Sequence, residues 1–330
     1  MRYSVALATL LGKKLRVVNI RKKRAKPGLR RQHLTAIQAC ARISGGNVEG
    51  AEVGSNEIIY KPGSHVIPGN YHFDIGSAGS TTLLGFTLSI PTLFAAETCH
   101  FTLVGGLFQD YAPTAFHMKY CLLPMLSRLG AVMDLQIVRP GYVPKGEGIL
   151  KITVQPANHR LVPFVGLDQG GINTIKLKAL SSHLSEANVG PRMVNACEQI
   201  LKKEGFDTQV GILEDAISAQ KGAALLAWTI SKTGAILGAD MAGSRGRSSE
   251  RIGRSVAYAL LSDIHTNAFV DTHLADQLII YAALAQGTTS YRVPTITEHI
   301  ESNLWLVEEI LGAKTQIKGL ELTIKGIGFG

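Results

Sequence analysis

Apolar and polar positions recur in the same order three times along the chain. HLTAIQACARISGG, from His33, keeps a helical period up to Gly46 and is followed by two strand-like runs, VEGAEV and EIIYK, joined by a Gly-Ser-Asn turn. HMKYCLLPMLSRLG, from His117 to Gly130, precedes LQIVRP and ILKITVQ, and HIESNLWLVEEILG, from His299 to Gly312, precedes TQIKG and LELTIKG. Thirteen positions separate His from Gly each time, enough for a helix of about three and a half turns closed by glycine. The pattern predicts three α-β-β units. Residues 174–266 follow a different order: TIKLKAL, a helix-like stretch from Ser185 to Glu204, TQVGILE, LLAWTIS and the amphipathic SSERIGRSVAYALLSDI. They predict a small α+β domain, 174–266, inserted into a repeat-built host of 1–173 and 267–330. The opening MRYSVALATLLG reads as a helix with Tyr3, Ala6, Leu7 and Leu10 on one face.

Composition sharpens this picture. With 330 residues, 45% hydrophobic and 18% charged, the chain is far from the signature of disorder. Residues 75–96 carry no charge, but Pro91 and the many Gly, Ser and Thr mark a buried helix, so no membrane association is expected. Four scattered cysteines without a Cys-x-x-Cys pair suggest neither a disulfide framework nor a zinc site and fit a reducing, cytoplasmic setting. A net charge of +9 favours an anionic partner such as nucleic acid. Ten of the cations, from Lys13 to Arg31, fall within nineteen residues that contain no acid. Arginine forks there suit a phosphate backbone, and a solvated basic loop is the plainer alternative.

Three further strings carry chemistry. Gly76-Ser-Ala-Gly-Ser80 precedes a helix-like run and reads equally as an anion-binding turn or as a serine N-cap. His299 stands at the start of a helix, where an imidazole serves as base, nucleophile or ligand. His273, Asp276 and Gln277 interrupt an apolar helix and read equally as caps or as a polar site. No two histidines stand at i, i+4, so no metal-ligating residues are assigned.

The strings RAKPGLRRQHLTA (24–36), IGSAGST (75–81), HLADQL (273–278) and EHIESN (298–303), with GADMAGSRGRSSERIGR before HLADQL, resemble the RNA 3'-terminal phosphate cyclase family over nearly the whole chain. The resemblance implies an α+β fold of three βαβαββ-like units, similar to the C-terminal fold of translation initiation factor 3, with a smaller domain inserted before the last. It also implies a ligase-type reaction at an RNA 3' end. A histidine takes AMP from ATP, AMP passes to the RNA 3'-phosphate, and the 2'-hydroxyl closes a 2',3'-cyclic phosphate. On this reading His299 is the nucleophile, and His273, Leu274, Ala275, Asp276 and Gln277 match the ATP-binding string. Arg21, Arg24, Arg30 and Arg31 grip RNA or phosphate, and Mg²⁺ or Mn²⁺ accompanies the ATP.

The sequence also departs from the family's pattern. A strand and a Gly-Glu-Gly-Gly-Gly-Gln run expected ahead of Arg2 are missing, so the first unit is expected to be short of a strand, to expose an edge and to favour self-association. Phe86 stands where the family has glutamine, Leu107 and Phe108 where it has Thr-Asp, and Phe116 where it has aspartate. Lys145-Gly-Glu-Gly148 replaces a glycine run. A non-catalytic cyclase-like protein of ribosome assembly is the alternative reading.

Overall fold

The computed structural model describes residues 1–157 and 160–330. Helix α1 (Arg2–Leu11) and strand β1 (Leu15–Val17) lead through the basic loop to helix α2 (Arg31–Ser44) and the strands β2 (Asn47–Glu49) and β3 (Ile58–Lys61). Helix α2 buries Ala36, Ile37, Cys40 and Ile43 on one face and stops at Gly45, whose φ of 65° is left-handed. The expected VEGAEV strand is shorter than its sequence suggests, because Gly50 turns the chain at φ 73°. Residues 51–56 instead close against the basic loop: Ile20 N–H donates to Asn56 O at 3.0 Å and Leu29 N–H to Ser55 O at 2.9 Å. That seam holds the cations in place. Helix α1 buries all of Val5–Thr9, more than the predicted single face, because α2 and α3 flank it.

A second group follows: β4 (Gly69–Asp74), α3 (Thr81–Thr92), β5 (Cys99–Gly105), α4 (Ala115–His117), α5 (Leu123–Arg128), β6 (Met133–Arg139) and β7 (Gly148–Val154). The single helix expected from His117 to Gly130 starts at Ala115 and passes through a π turn, Met118–Leu122, between α4 and α5. Pro124 has no N–H to give Tyr120, so the coil widens just before it. Then come β8 (Val165–Gly166), β9 (Thr174–Ser182), α6 (Val189–Lys203), β10 (Asp207–Asp215), β11 (Gly222–Ile230), β12 (Ile236–Ala242) and α7 (Ser249–His265). The chain ends with α8 (Thr272–Leu284), β13 (Thr288–Arg292), α9 (Glu298–Leu311), β14 (Lys314–Lys318) and β15 (Glu321–Lys325).

The described residues form an α+β fold of four sheets, ordered β1-β3-β2, β4-β5-β7-β6, β10-β9-β11-β12 and β14-β15-β13-β8. In the second sheet β4 runs parallel to β5, which pairs antiparallel with β7 and through it with β6. The fourth repeats that order, with β8 parallel to β13 and then β15 and β14 antiparallel. The first sheet shows the same hairpin arrangement, but β1 has no parallel neighbour among the described residues. Strands β9–β12 form a sheet of their own and come between β8 and α8 in the chain. Strand β12 had no signal in the apolar pattern, since ILGADMA is poor in β-branched and aromatic residues; pairing with β11 from Ile236 to Ala242 holds it.

Helix α8 is the hub. Ten of its residues from Leu274 to Leu284 are buried, and Tyr281 Oη lies 2.7 Å from Ser89 Oγ of α3. Phe86, in the glutamine position of the resemblance, is a core aromatic edge-on to Tyr3 and Tyr281 at 5.3 and 5.5 Å. Phe108 packs on Phe116 at 4.9 Å and on Tyr142 at 5.6 Å, and Leu107 is buried beside them. Those departures therefore exchange polar groups for core. Among the described residues no helix is long and apolar enough to cross a membrane; the uncharged run 75–96 includes the twelve-residue α3, which is almost wholly buried.

Candidate active site

Helices α8 and α9 begin side by side. Thr297 caps α9 by accepting the Ile300 N–H at 3.2 Å, which places His299 in the first turn. Asp271 caps α8, accepting the N–H groups of His273 and Leu274 at 2.8 and 2.9 Å, and so fixes His273, Asp276 and Gln277 on the first turns. Asn303 Nδ2 donates to Asp276 O at 3.1 Å and ties the two helix starts together. A cavity of about 660 Å³ opens over them, lined by His299, His273, Asp276 and Gln277 and by Arg21 and Arg24 from the basic loop.

The cavity also takes in Arg2, Gln32, His33 and Tyr111, which the sequence reading did not single out as site residues. His33 lay within the RAKPGLRRQHLTA string, and only the fold brings it opposite His299. Burial pulls His33 down to about 4, helped by Arg2, Arg21 and Arg30, so its ring is neutral at pH 7. Its Nδ1 accepts the Arg30 N–H at 3.3 Å, which leaves the proton on Nε2. Gln277 is buried with an Oε1 that has no hydrogen-bond partner, and it shares a small void with Phe86, which has none to offer.

Other predicted residues lie elsewhere. The Leu274 and Ala275 side chains are 0% exposed and belong to the core, so they present nothing to a nucleotide. Arg30 Nη2 reaches back to Lys26 O at 3.3 Å, and Arg31 Nη1 donates to Gly76 O at 2.9 Å. Neither lines the cavity. The Gly76–Ser80 turn is a helix cap. Gly76 N–H goes to Asp74 Oδ1 at 2.7 Å, Ser80 N–H to Gln32 Oε1 at 3.3 Å, Thr81 N–H to Gly106 O at 2.9 Å, and Ser80 Oγ accepts Leu83 N–H at 3.1 Å. Few donors are left for an anion. Arg24→Ala is expected to weaken phosphate binding about tenfold at unchanged melting temperature. Arg31→Ala instead costs about 1 kcal/mol of stability and leaves binding alone. Titration and thermal melts of both variants check this.

Burial raises Asp276 to about 6, against the opposing pull of His299. A carboxyl whose value rises on folding stabilises the fold while protonated, and that contribution is lost as pH climbs from about 4 through 6. Asp276→Asn should therefore stabilise the protein by about 1–3 kcal/mol at pH 8, with no gain at pH 4. Urea unfolding at the two pH values measures it. Equal effects at both would remove the ionised carboxylate from the account.

Behind the cavity lies a buried pair. His117 Nε2 sits 3.0 Å from Asp271 Oδ2, both wholly buried, and the His117 ring stands edge-on to His273 at 5.2 Å. Burial pulls His117 down, but the Asp271 charge and hydrogen bond outweigh it and hold it above its ordinary value. Burial likewise pushes Asp271 up, and His117, His273 and the Leu274 N–H together more than reverse that. Cys121 is the third member of the one cluster of potential metal ligands among the described residues. Asp271 already accepts from His117, Gly238, His273 and Leu274, and burial keeps the Cys121 thiol protonated, so the cluster suits packing better than an ion. A Cβ on Gly238 would meet Cys121 Sγ at 2.5 Å, so β12 can approach only with glycine there.

A family model described as RNA 3'-terminal phosphate cyclase matches residues 1–317. The chain is 34% identical to the RNA 3'-terminal phosphate cyclase of Archaeoglobus fulgidus over 98% of its own length and 95% of that protein's. It is 32% identical to the protein of the same name from Pyrobaculum aerophilum, over 100% and 94%. Among solved structures it resembles an EPSP synthase from Acinetobacter baumannii at a TM-score of 0.43 and 11% identity, covering 99% of this chain and 45% of that one.

Proposed function

The chain belongs to the RNA 3'-terminal phosphate cyclase family, and on that premise we propose that it uses ATP to convert an RNA 3'-phosphate into a 2',3'-cyclic phosphate through AMP carried on His299. The observation that carries the reading is one cavity holding His299, an acid with an unpartnered amide oxygen beside it, and three arginines. A neutral His299 nitrogen attacks the α-phosphorus of ATP; the N–P bond forms as the bond to pyrophosphate breaks. The RNA 3'-phosphate oxygen then displaces the imidazole and takes the AMP. Finally the 2'-hydroxyl, losing its proton, closes on the 3'-phosphorus and expels AMP.

Arg2, Arg21 and Arg24 offer positive charge for the phosphates at each stage, and Arg21 is already oriented by Lys26 O and Gly28 O at 2.9 and 3.1 Å. His33 presents a fixed Nε2–H donor. The Asp276 carboxylate and the unpartnered Gln277 oxygen are hard donors of the kind that would hold Mg²⁺ or Mn²⁺. Such an ion, when bound, neutralises the charge developing on the leaving pyrophosphate.

We read the first, second and fourth sheets as copies of one βαβαββ unit similar to the C-terminal fold of translation initiation factor 3, with 174–266 inserted into a host of 1–173 and 267–330. The strand order common to the second and fourth sheets supports this. The direct test of the function is an RNA oligonucleotide ending in a 3'-phosphate, incubated with ATP and Mg²⁺ or Mn²⁺. Its terminus should become phosphatase-resistant with one AMP released per end; an end that stays phosphatase-sensitive overturns the reading.

A further inference from the structure

Three cavities adjoin one another through shared wall residues. The His299 cavity shares Tyr111, Ala112 and His273 with a second of about 310 Å³, which in turn shares Arg247 with a third of about 630 Å³. The third has an apolar floor that includes Tyr142, Leu184 and Ile252, and its rim carries Lys145, Lys221 and Arg245. Among the described residues no carboxylate lines it. Among the described residues none of these three exposed cations has an acidic partner, whereas Arg247 at the seam is held by both oxygens of Asp110 at 2.9 Å. The rim is braced: Lys145 N–H donates to Gln220 Oε1 at 3.0 Å, and Gln220 Nε2 donates to Val143 O at 2.8 Å.

At the other seam the Tyr111 side chain is fully exposed on a backbone with φ 64°. A bulky residue held in the left-handed region marks strain of the kind that gathers at functional sites.

An apolar floor beneath unpaired cations matches a single strand, whose bases can bury while its phosphates meet the rim; a duplex keeps its bases hidden. We propose that this groove holds the RNA strand upstream of its 3' end, with Tyr111 as the stacking surface at the passage from the His299 cavity. This rests on the cyclase reading, in that it takes the 3' end to lie at His299.

The test is the triple variant Lys145→Ala, Lys221→Ala, Arg245→Ala against the parent. Fluorescence anisotropy without ATP would read the binding of single-stranded RNA 3'-phosphates of three and about twelve nucleotides, the first shorter than the sites of single-strand binders and the second within their range. The parent should bind the longer strand at least about tenfold more tightly than the trinucleotide. The variant should lose that gain, with the slope of log affinity against log salt reduced by about 2, near 0.7 for each of three phosphate contacts. Parent affinity and slope in the variant would overturn the proposal, as would duplex RNA of the same length binding as tightly as the single strand. If the parent forms no cyclic phosphate yet the longer strand depends on the three cations, the reaction assignment falls and the groove stands.

Discussion

His299→Ala abolishes the transfer of an α-phosphate label from ATP to the protein, while the melting temperature stays within about 2 °C of the parent. The imidazole is replaceable without structural loss because Thr297 caps α9, and Ile300, Leu304 and Val307 hold the helix to the core. Losing the nucleophile removes the first covalent step outright, a fall of at least about 10³-fold in the rate of labelling. The adenylate on the parent should be acid-labile and alkali-stable, as expected of a phosphoramidate. If His299→Ala labels as well as the parent, the nucleophile is one of the other two imidazoles in the same cavity, His33 or His273. If the parent itself does not label, the non-catalytic reading gains.

The second large effect is on stability. His117→Ala should cost about 3–5 kcal/mol, since it leaves Asp271 buried with its charge uncompensated beneath α8. Asp271→Asn should cost less than Asp271→Ala, which also removes the cap of α8, itself worth about 1 kcal/mol. The pair also sets a pH window. His117 is held above its ordinary value, so its share is complete below about pH 6.5 and is lost as pH rises through the raised value. Asp271 is held below its ordinary value, so its share is complete above about pH 4 and is lost as pH falls through the lowered value. Urea titrations between pH 4 and 9 should show the gap between parent and His117→Ala widest from about pH 4 to 6.5. A gap below about 1 kcal/mol throughout would mean that the pair is not an ion pair.

The three His-to-Gly helices illustrate how far an apolar period carries. It located α2, α9 and the neighbourhood of α4 and α5, because burial of one face every three or four residues is a local property of sequence. It was silent on what the histidines at their starts do. His33 and His299 line one cavity, while His117 is sealed behind it against Asp271. The difference is set by which element lies opposite each helix start, and that is decided by sheet order and by the docking of α8, through contacts between residues far apart in the chain.

The basic block divides in the same way. Its charge was plain from composition, but ten cations within nineteen residues do not say which of them face a site. Beside the seam between residues 20–29 and 51–56, Arg21 and Arg24 line the cavity, Arg21 steadied by Lys26 O and Gly28 O, whereas Arg30 and Arg31 donate to backbone carbonyls outside it. In HLADQ, too, the string was legible, and helical geometry alone sends His273, Asp276 and Gln277 one way and Leu274 and Ala275 into the core. The sequence by itself determined most of the helices, the hairpins that follow α2, α5 and α9, the family and the identity of the candidate nucleophile, all of which rest on local period or on strings of adjacent residues. Only the tertiary structure decided the companions of His299, the Phe86 and Phe116 replacements as core, and the groove leading away to Arg245, because each depends on burial and on side chains that meet from distant segments.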